Sequence, residues 1–423
     1  MSELDKLLEG EEVGWKALVE VIFSLKTGLN PRQNFQLNTP EALGYYVTVR
    51  EIQNGKIVFL DKTDRVDVQA LELINNRSNL DTGDILFSGT GTVGRTAVIK
   101  TKPQNWNIKE GVYVIKPNPE LIDSSYLSYL LNSSEIVKEY SKKIVGSPVC
   151  SLPMSELRKL LIPIPCPENP KKSLEIQTEI VRILDTFTEL TAELTAELTA
   201  ELTARCNQYA FYREALFKFD KNEVQHLPMG DEKVGVFQRG KRFVKDDMIS
   251  SGVPCIHYGE MYTHYGTWAD ETKSFVSEVL VKNKNLRVAE NGEVVIVAAG
   301  ETIEDIGMGT AWLGSEGVVI HDACFSYKSK LNPKFVAYFT RTKQFHDQIK
   351  KHISSGKISS INAKGLGKAL IPMPSPEEQG RIVSILDKFD ILTSSISNGL
   401  PKEIELRKKQ YEYYRDMLFT FPQ

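Results

Sequence analysis

Self-similarity constrains this chain more than any other feature, because a duplicated unit fixes domain boundaries before any secondary structure is assigned. Leu161-Ile162-Pro163-Ile164-Pro165 recurs as Leu370-Ile371-Pro372-Met373-Pro374, a shift of 370 minus 161, or 209. The same shift carries Gly83-Asp84-Ile85-Leu86 onto Gly292-Glu293-Val294-Val295 and Gly91 onto Gly300. Further along, Ile180-Val181-Arg182-Ile183-Leu184-Asp185 returns as Ile382-Val383-Ser384-Ile385-Leu386-Asp387, now at 382 minus 180, or 202. That second shift still holds where Gln208-Tyr209-Ala210-Phe211-Tyr212-Arg213-Glu214 meets Gln410-Tyr411-Glu412-Tyr413-Tyr414-Arg415-Asp416. The chain is therefore two half-molecules in tandem, each a globular part followed by a helical part.

The first helical part is expected over about 175–217. Its apolar residues include Leu190, Leu194, Leu198 and Leu202, first at heptad and then at four-residue spacing. Heptads make a coiled-coil seam, and inserted fours act as stutters that unwind it locally. At 1.5 Å per residue such a helix is roughly 65 Å long, too long to lie buried in one compact domain. Within it Thr-Ala-Glu-Leu repeats three times over 191–202, and Ala, Glu and Leu are strong helix formers, so the low complexity predicts helix and not disorder. The second copy keeps Leu392, Ile396, Leu400 and Ile404 at matching positions, with Gly399 and Pro401 set to break or kink it. Two matched stripes on one chain predict antiparallel pairing.

The globular parts read as mixed α/β. Strands are expected at 57–60, 85–87, 97–99 and 111–115, with one amphipathic helix over 124–142. The second copy has strands at 294–297 and 318–320 and one helix over 333–352. Domains are accordingly placed at 1–165 and 221–374, with helical regions at 166–220 and 375–423. Between the landmarks the halves share little sequence, which suggests two related tasks of different specificity.

Gly89-Thr90-Gly91-Thr92-Val93-Gly94 fits a dinucleotide fingerprint, but residues 95–99 continue as strand where a helix should open, so a tight hairpin loop is the better reading. No phosphate loop of the Walker type, no H-E-x-x-H zinc motif and no nucleophile elbow occurs. The six histidines fall at no metal-binding spacing, and His321-Asp322 lacks a partner nucleophile for a catalytic relay. Five scattered cysteines, none in a C-x-x-C pair, read as free thiols. With 41% hydrophobic and 25% charged residues the composition is that of a soluble globular protein. The first residues carry acids where a secretion signal would be apolar, and the run 294–299 is far too short to span a bilayer, so a cytoplasmic chain is expected.

The formal net charge of -3 means that nucleic acid could be held only by a local concentration of bases. One exists at 328–368, where ten Lys and Arg residues face the single acid Asp347. Lys138, Lys142 and Lys143 echo it in the first half, and in both halves a helix runs into a Gly/Ser loop. Such a footprint suits phosphate binding with counterion release. Candidate DNA contacts are Arg77, Arg95, Lys142, Lys143, Arg239, Lys241, Arg242, Lys343, Lys350, Lys351 and Lys357, with the loops 75–77, 238–242 and 258–265 as candidates for base reading.

Together these landmarks resemble the specificity subunit of type I restriction-modification systems. The resemblance covers nearly the whole chain. It rests on Glu12, Val13 and Trp15 of an E-V-x-W opening, on the T-A-E-L run, on Gly399-Leu400-Pro401-Lys402-Glu403-Ile404 and on Gln410-Tyr411-Glu412-Tyr413-Tyr414-Arg415. The second half opens with Glu223-Val224 but has His226 where the first has Trp15, so that anchor is expected to pack differently.

The resemblance implies two α/β target recognition domains in a pseudo-twofold internal repeat, joined by long antiparallel coiled-coil helices, each reading one half of a split asymmetric DNA site. It also implies double-stranded DNA, two methyltransferase subunits and motor/endonuclease subunits as partners. S-adenosylmethionine, ATP and Mg would be held by those partners, with no cofactor, metal or catalytic residue in this chain. Two other classes stay open: a coiled-coil protein-binding scaffold without DNA specificity, and a standalone enzyme.

Overall fold

The computed structural model describes residues 3–31, 34–356, 358–394 and 399–421. Contacts divide the chain into a first unit, Met1–Ala196 with Glu405–Gln423, and a second, Glu197–Ile404. Each has its own core.

In the first unit a four-stranded sheet runs in the order Ile22–Thr27, Val112–Pro117, Ile85–Ser88, Thr96–Val98, all antiparallel. The central strand Ile85–Ser88 is buried throughout, as expected of a strand covered on both faces. The second unit repeats that order with Gly235–Arg239, Cys324–Ser329, Val294–Val297 and Gly309–Trp312, then adds Trp268–Ala269 at the edge. The duplicated Leu-Ile-Pro segments occupy equivalent places. Leu161–Pro165 pairs antiparallel with Val13–Ala17, and Leu370–Pro372 with His226–Pro228. Trp15 lies opposite Pro163 and His226 opposite Pro372, so His226 takes the register position of Trp15. Trp15 packs on the first core, whereas the His226 Nδ1 lies 2.8 Å from the Val224 carbonyl oxygen.

The halves diverge in their smaller sheets. The first unit carries three strands in the order Arg65–Val66, Gly44–Val47, Trp106–Ile108. The second carries five, Met248–Ile249, Ser274–Val276, Val253–Ile256, Val318–Ile320 and Val288–Ala289.

Three expectations need correction. Strand structure at 57–60 shrinks to Lys56–Ile57, because the half-exposed Phe59 leaves the ladder and stacks on Tyr45, ring centroids 4.3 Å apart. The single helix over 124–142 is two, Ser124–Leu131 and Ser134–Ser141, and that over 333–352 is Pro333–Phe339 and Lys343–Ile349 followed by a short 3-10 turn. Both breaks have one cause: short polar side chains bond back to the preceding turn and compete with the helix. Asn132 Nδ2 donates to the Ser128 carbonyl at 2.7 Å and Ser133 Oγ to that of Leu130 at 2.7 Å. Thr340 and Thr342 hydroxyls donate likewise to Ala337 and Phe339, at 2.8 and 2.7 Å. The Gly-rich run 89–94 is a hairpin loop between antiparallel strands. Gly94 adopts φ +99, and a side chain there would run into the Tyr140 hydroxyl.

The long helix runs unbroken over Pro170–Leu216, 47 residues, with Pro at its first position where a missing N–H costs nothing. Its first turns pack Ile176, Ile180 and Leu184 into the first core. Leu194, Leu198 and Leu202 are half-buried along it and Leu190 is exposed. The second copy is two helices, Pro376–Ser394 and Leu400–Leu418, with Pro401 in the first turn of the latter. Leu392, Leu400 and Ile404 are half-buried, and Ile396 lies outside the described residues.

Within the first unit the helices are antiparallel: Phe187 stacks on Tyr414 at 5.5 Å and 6°, while Thr188 bonds Tyr411 at 3.0 Å. The 202 shift predicts Phe389 on Tyr212 in the second unit, and they stack at 5.3 Å and 26°. Tyr126 against Phe419 in one core likewise becomes Phe335 against Phe217 in the other.

Candidate nucleic-acid interface

In each unit the helix pair after the main sheet is fixed to the helical region by equivalent bonds, to the long helix and Leu400–Leu418 in the first unit and to Pro376–Ser394 and the long helix in the second. Gln177 Oε1 accepts the Asp123 N–H at 2.8 Å, and Gln379 Oε1 that of Asn332 at 2.8 Å. Tyr129 and Tyr338 donate to Asp185 and Asp387 at 2.6 and 2.7 Å. The Ser134 N–H donates to Asp416 at 3.0 Å, and the equivalent Lys343 N–H to Glu214 at 2.7 Å. This frame holds the basic segments in place.

The run of bases at 328–368 is less positive in space than in sequence. Lys328 pairs with Glu290 at 2.9 Å, Lys334 with Asp387 at 2.8 Å while lying over the Trp268 ring, and Lys343 with Asp347 at 2.5 Å. Lys330, Lys350, Lys351, Lys364 and Lys368 are exposed with no ion pair among the described residues. Lys357 lies outside the described residues. In the first unit Lys142 pairs with Glu139 at 2.6 Å, and Lys143 is exposed beyond the end of the Ser134–Ser141 helix.

A second group forms at one end of the second unit's sheets. The strand Gly235–Arg239 leads into a loop whose Lys241 N–H reaches the Ile320 carbonyl at 3.3 Å, while Arg239 Nε donates to the Asp322 carbonyl at 3.0 Å. This draws Arg239, Lys241 and Arg242, all exposed, around His321-Asp322. His257 lies 4.5 Å from His321 between ring centroids, with Tyr258 and Phe243 against the pair. Burial pushes both imidazoles below the ordinary histidine range. The partners of His321 Nδ1 are the Ala323 N–H and Asp322, both at 3.1 Å, with no nucleophilic hydroxyl or thiol bonded to it among the described residues. Sequence spacing hides this group, because 257 and 321 meet only across the parallel pairing of Val253–Ile256 with Val318–Ile320.

No hydrogen bond or ion pair joins Arg77 or Arg95 to these groups among the described residues. Arg77 is exposed in the last turn of Val68–Ser78, so 75–77 is helix and not the expected loop, and Arg95 reaches back to the Val49 carbonyl at 3.1 Å. Among the described residues no group of three or more His, Cys, Asp or Glu side chains could hold a metal, and no helix is long and apolar enough to cross a membrane.

A profile of the family described as the type I restriction modification DNA specificity domain matches this chain twice, over residues 20–204 and 232–406. The chain belongs to that family. As a type I specificity subunit it is 33% identical to the EcoR124I/EcoR124II specificity subunit of Escherichia coli, over all of this chain and 98% of that one. It is 30% identical to the EcoprrI specificity subunit of Escherichia coli, over 94% of this chain and 92% of that one. A solved chain described under "Structural basis underlying complex assembly and conformational transition of the type I R-M system" superposes with TM-score 0.66 at 17% identity, covering 96% of this specificity subunit and 97% of that chain. The HsdS subunit from Thermoanaerobacter tengcongensis superposes with TM-score 0.53 at 17% identity, covering 96% of each. These two likenesses are of fold. Each family match spans most of one globular part and much of the helical region after it, so the duplication seen in the sequence is a duplication of the family's domain.

Proposed function

We propose that this specificity subunit reads a split, asymmetric DNA site, one half with each globular part, and supplies no catalytic group of its own. One observation carries the reading: the same sheet order and the same frame of hydrogen bonds occur twice, but the surfaces mounted on them differ. A frame repeated with unlike loops suits two unlike half-sites. The exposed Lys143, Lys350 and Lys351 suit phosphate contacts, which position without specifying, and the loops around Arg239 and Tyr258 suit contact with base edges.

In this reading the helices set the spacer between half-sites and dock two methyltransferase subunits, and motor/endonuclease subunits complete the assembly in the cytoplasm. Adenine-N6 methylation and ATP-dependent cleavage belong to that assembly, with S-adenosylmethionine, ATP and Mg bound by the partners. Co-purification with the methyltransferase subunit followed by methyladenine mapping tests it. The expected result is methylation at two fixed half-sites separated by a constant spacer. A chain that captures protein partners yet shows no salt-dependent affinity for duplex DNA would instead be a coiled-coil scaffold.

A further inference from the structure

The second unit holds a cavity of about 440 Å³ between the end of the long helix and the Lys343–Ile349 helix, sharing Lys350 with the phosphate contacts proposed above. Arg213, Arg341, His346 and Lys350 supply part of its polar wall, together with three carboxylates, and Ile303 and Met308 part of its apolar wall. Neither guanidinium has a carboxylate within ion-pair distance among the described residues. Arg341 is spent on backbone, donating from Nε to the Gly309 carbonyl at 3.2 Å and from Nη2 to the Gly266 carbonyl at 2.8 Å. Arg213 lies against the Tyr209 ring, and its Nε is shut away from solvent with no hydrogen-bond partner among the described residues.

A charged donor left unmet in a shielded place is costly, and two guanidiniums side by side add repulsion. Burial lowers Arg341 below the usual arginine range and Arg213 pushes the same way, with Asp390 and Tyr209 opposing. The cavity's carboxylates do not relieve this: Asp347 is taken by Lys343, and Glu214 accepts the Lys343 N–H. Glu304 acts on His346.

The first unit shows that the shared frame does not require this arrangement. There Arg415, the counterpart of Arg213, donates from Nε and Nη2 to Asp416 at 3.1 and 3.0 Å. Asn132, the counterpart of Arg341, bonds Thr96 at 2.6 Å, and a valine, Val137, stands where the second unit has His346. Among the described residues, a shielded guanidinium nitrogen without a partner therefore occurs in the second unit and not at the equivalent place in the first.

The geometry points to a phosphate-binding site, formed by Arg213, Arg341 and Lys350 and present only in the second unit. A phosphate offers several acceptor oxygens to donors arriving from different sides, which suits a guanidinium fork beside an ammonium better than a single carboxylate does. Among the described residues no Phe, Tyr or Trp lines the cavity to stack on a nucleobase. The phosphate is either that of the DNA backbone or a free phosphate group.

Calorimetric titration of the full chain with inorganic phosphate, without DNA, tests the site independently of the DNA-reading proposal. Saturable binding is expected, weakened about tenfold or more by Arg213→Gln and by Lys350→Gln, and untouched by Arg415→Gln in the first unit. Circular dichroism checks that each variant is folded, and Lys350→Gln, at an exposed residue, serves if Arg213→Gln is not. Absence of binding heat, equal binding of acetate, or unchanged affinity in both folded variants overturns the assignment. Binding of a random-sequence duplex then separates the sources. If the phosphate is the backbone's, Arg213→Gln lowers the slope of log affinity against log salt by about one. If it is a free group, the slope stays as it was and only the phosphate titration changes.

Discussion

Gln177 and Gln379 show how much one buried amide can carry. Gln177 in the long helix and Gln379 at the equivalent place in Pro376–Ser394 are both buried and accept the N–H of a helix-capping residue, and Gln177 Nε2 also donates to the Leu121 carbonyl at 3.1 Å. Gln177→Ala leaves those backbone groups buried without partners, so it should cost about 1–3 kcal/mol in urea denaturation. A loss below a few tenths of a kcal/mol would mean that water replaces the amide.

The histidines give a second expectation at this scale. All six lie in the second half, and burial lowers His257, His321 and His346, with Glu260 and Asp322 opposing at the first, Asp322 at the second, and Asp347, Glu214 and Glu304 at the third. An imidazole lowered in the folded state takes its proton more readily when unfolded. The stability it brings is therefore full above the ordinary value of 6.5 and declines as pH falls below it. Hydrogen exchange followed from about pH 7.5 to 5 should show the second unit loosening before the first, and His257→Gln with His321→Gln should flatten the trend. Equal loosening of both units would contradict this.

At the scale of elements, the sequence disclosed the frame because its shifts are exact where packing is repeated. The 202 shift alone pairs Phe187 and Tyr414 with Phe389 and Tyr212, and both pairs stack. A double-mutant cycle on Phe187→Ala and Tyr414→Ala should yield a coupling of about 0.5–1.5 kcal/mol, read from denaturation midpoints. No coupling would leave the helices joined by their other contacts alone. The helix breaks at Asn132 and Thr340 were hidden because periodicity continues across them while side chains divert the backbone locally. The site was less legible than the frame. A tally of bases cannot see that Glu290 and Asp387, distant in sequence, neutralise Lys328 and Lys334, nor that Arg213 loses the acid partner its counterpart Arg415 keeps.

For the whole molecule, the unbroken helix through the T-A-E-L run makes the proposed spacer function testable by length alone. One repeat adds about 6 Å and about 40° beyond a full turn, against about 3.4 Å per DNA base pair. Deleting 195–198 should therefore change the spacer by one or two base pairs and leave both half-sites as they were, as methyladenine mapping would reveal. An unaltered spacer would uncouple the helix from the site.

The first unit is not contiguous in the chain. Leu418, Phe419 and Phe421 complete a hydrophobic core begun by Leu4 and Leu8, while the second unit is encoded without interruption between them. During synthesis the core of the leading part stays incomplete until the ribosome has delivered residues 418–421. The part made later holds all its own residues sooner after it begins, so the order of folding need not follow the order of synthesis.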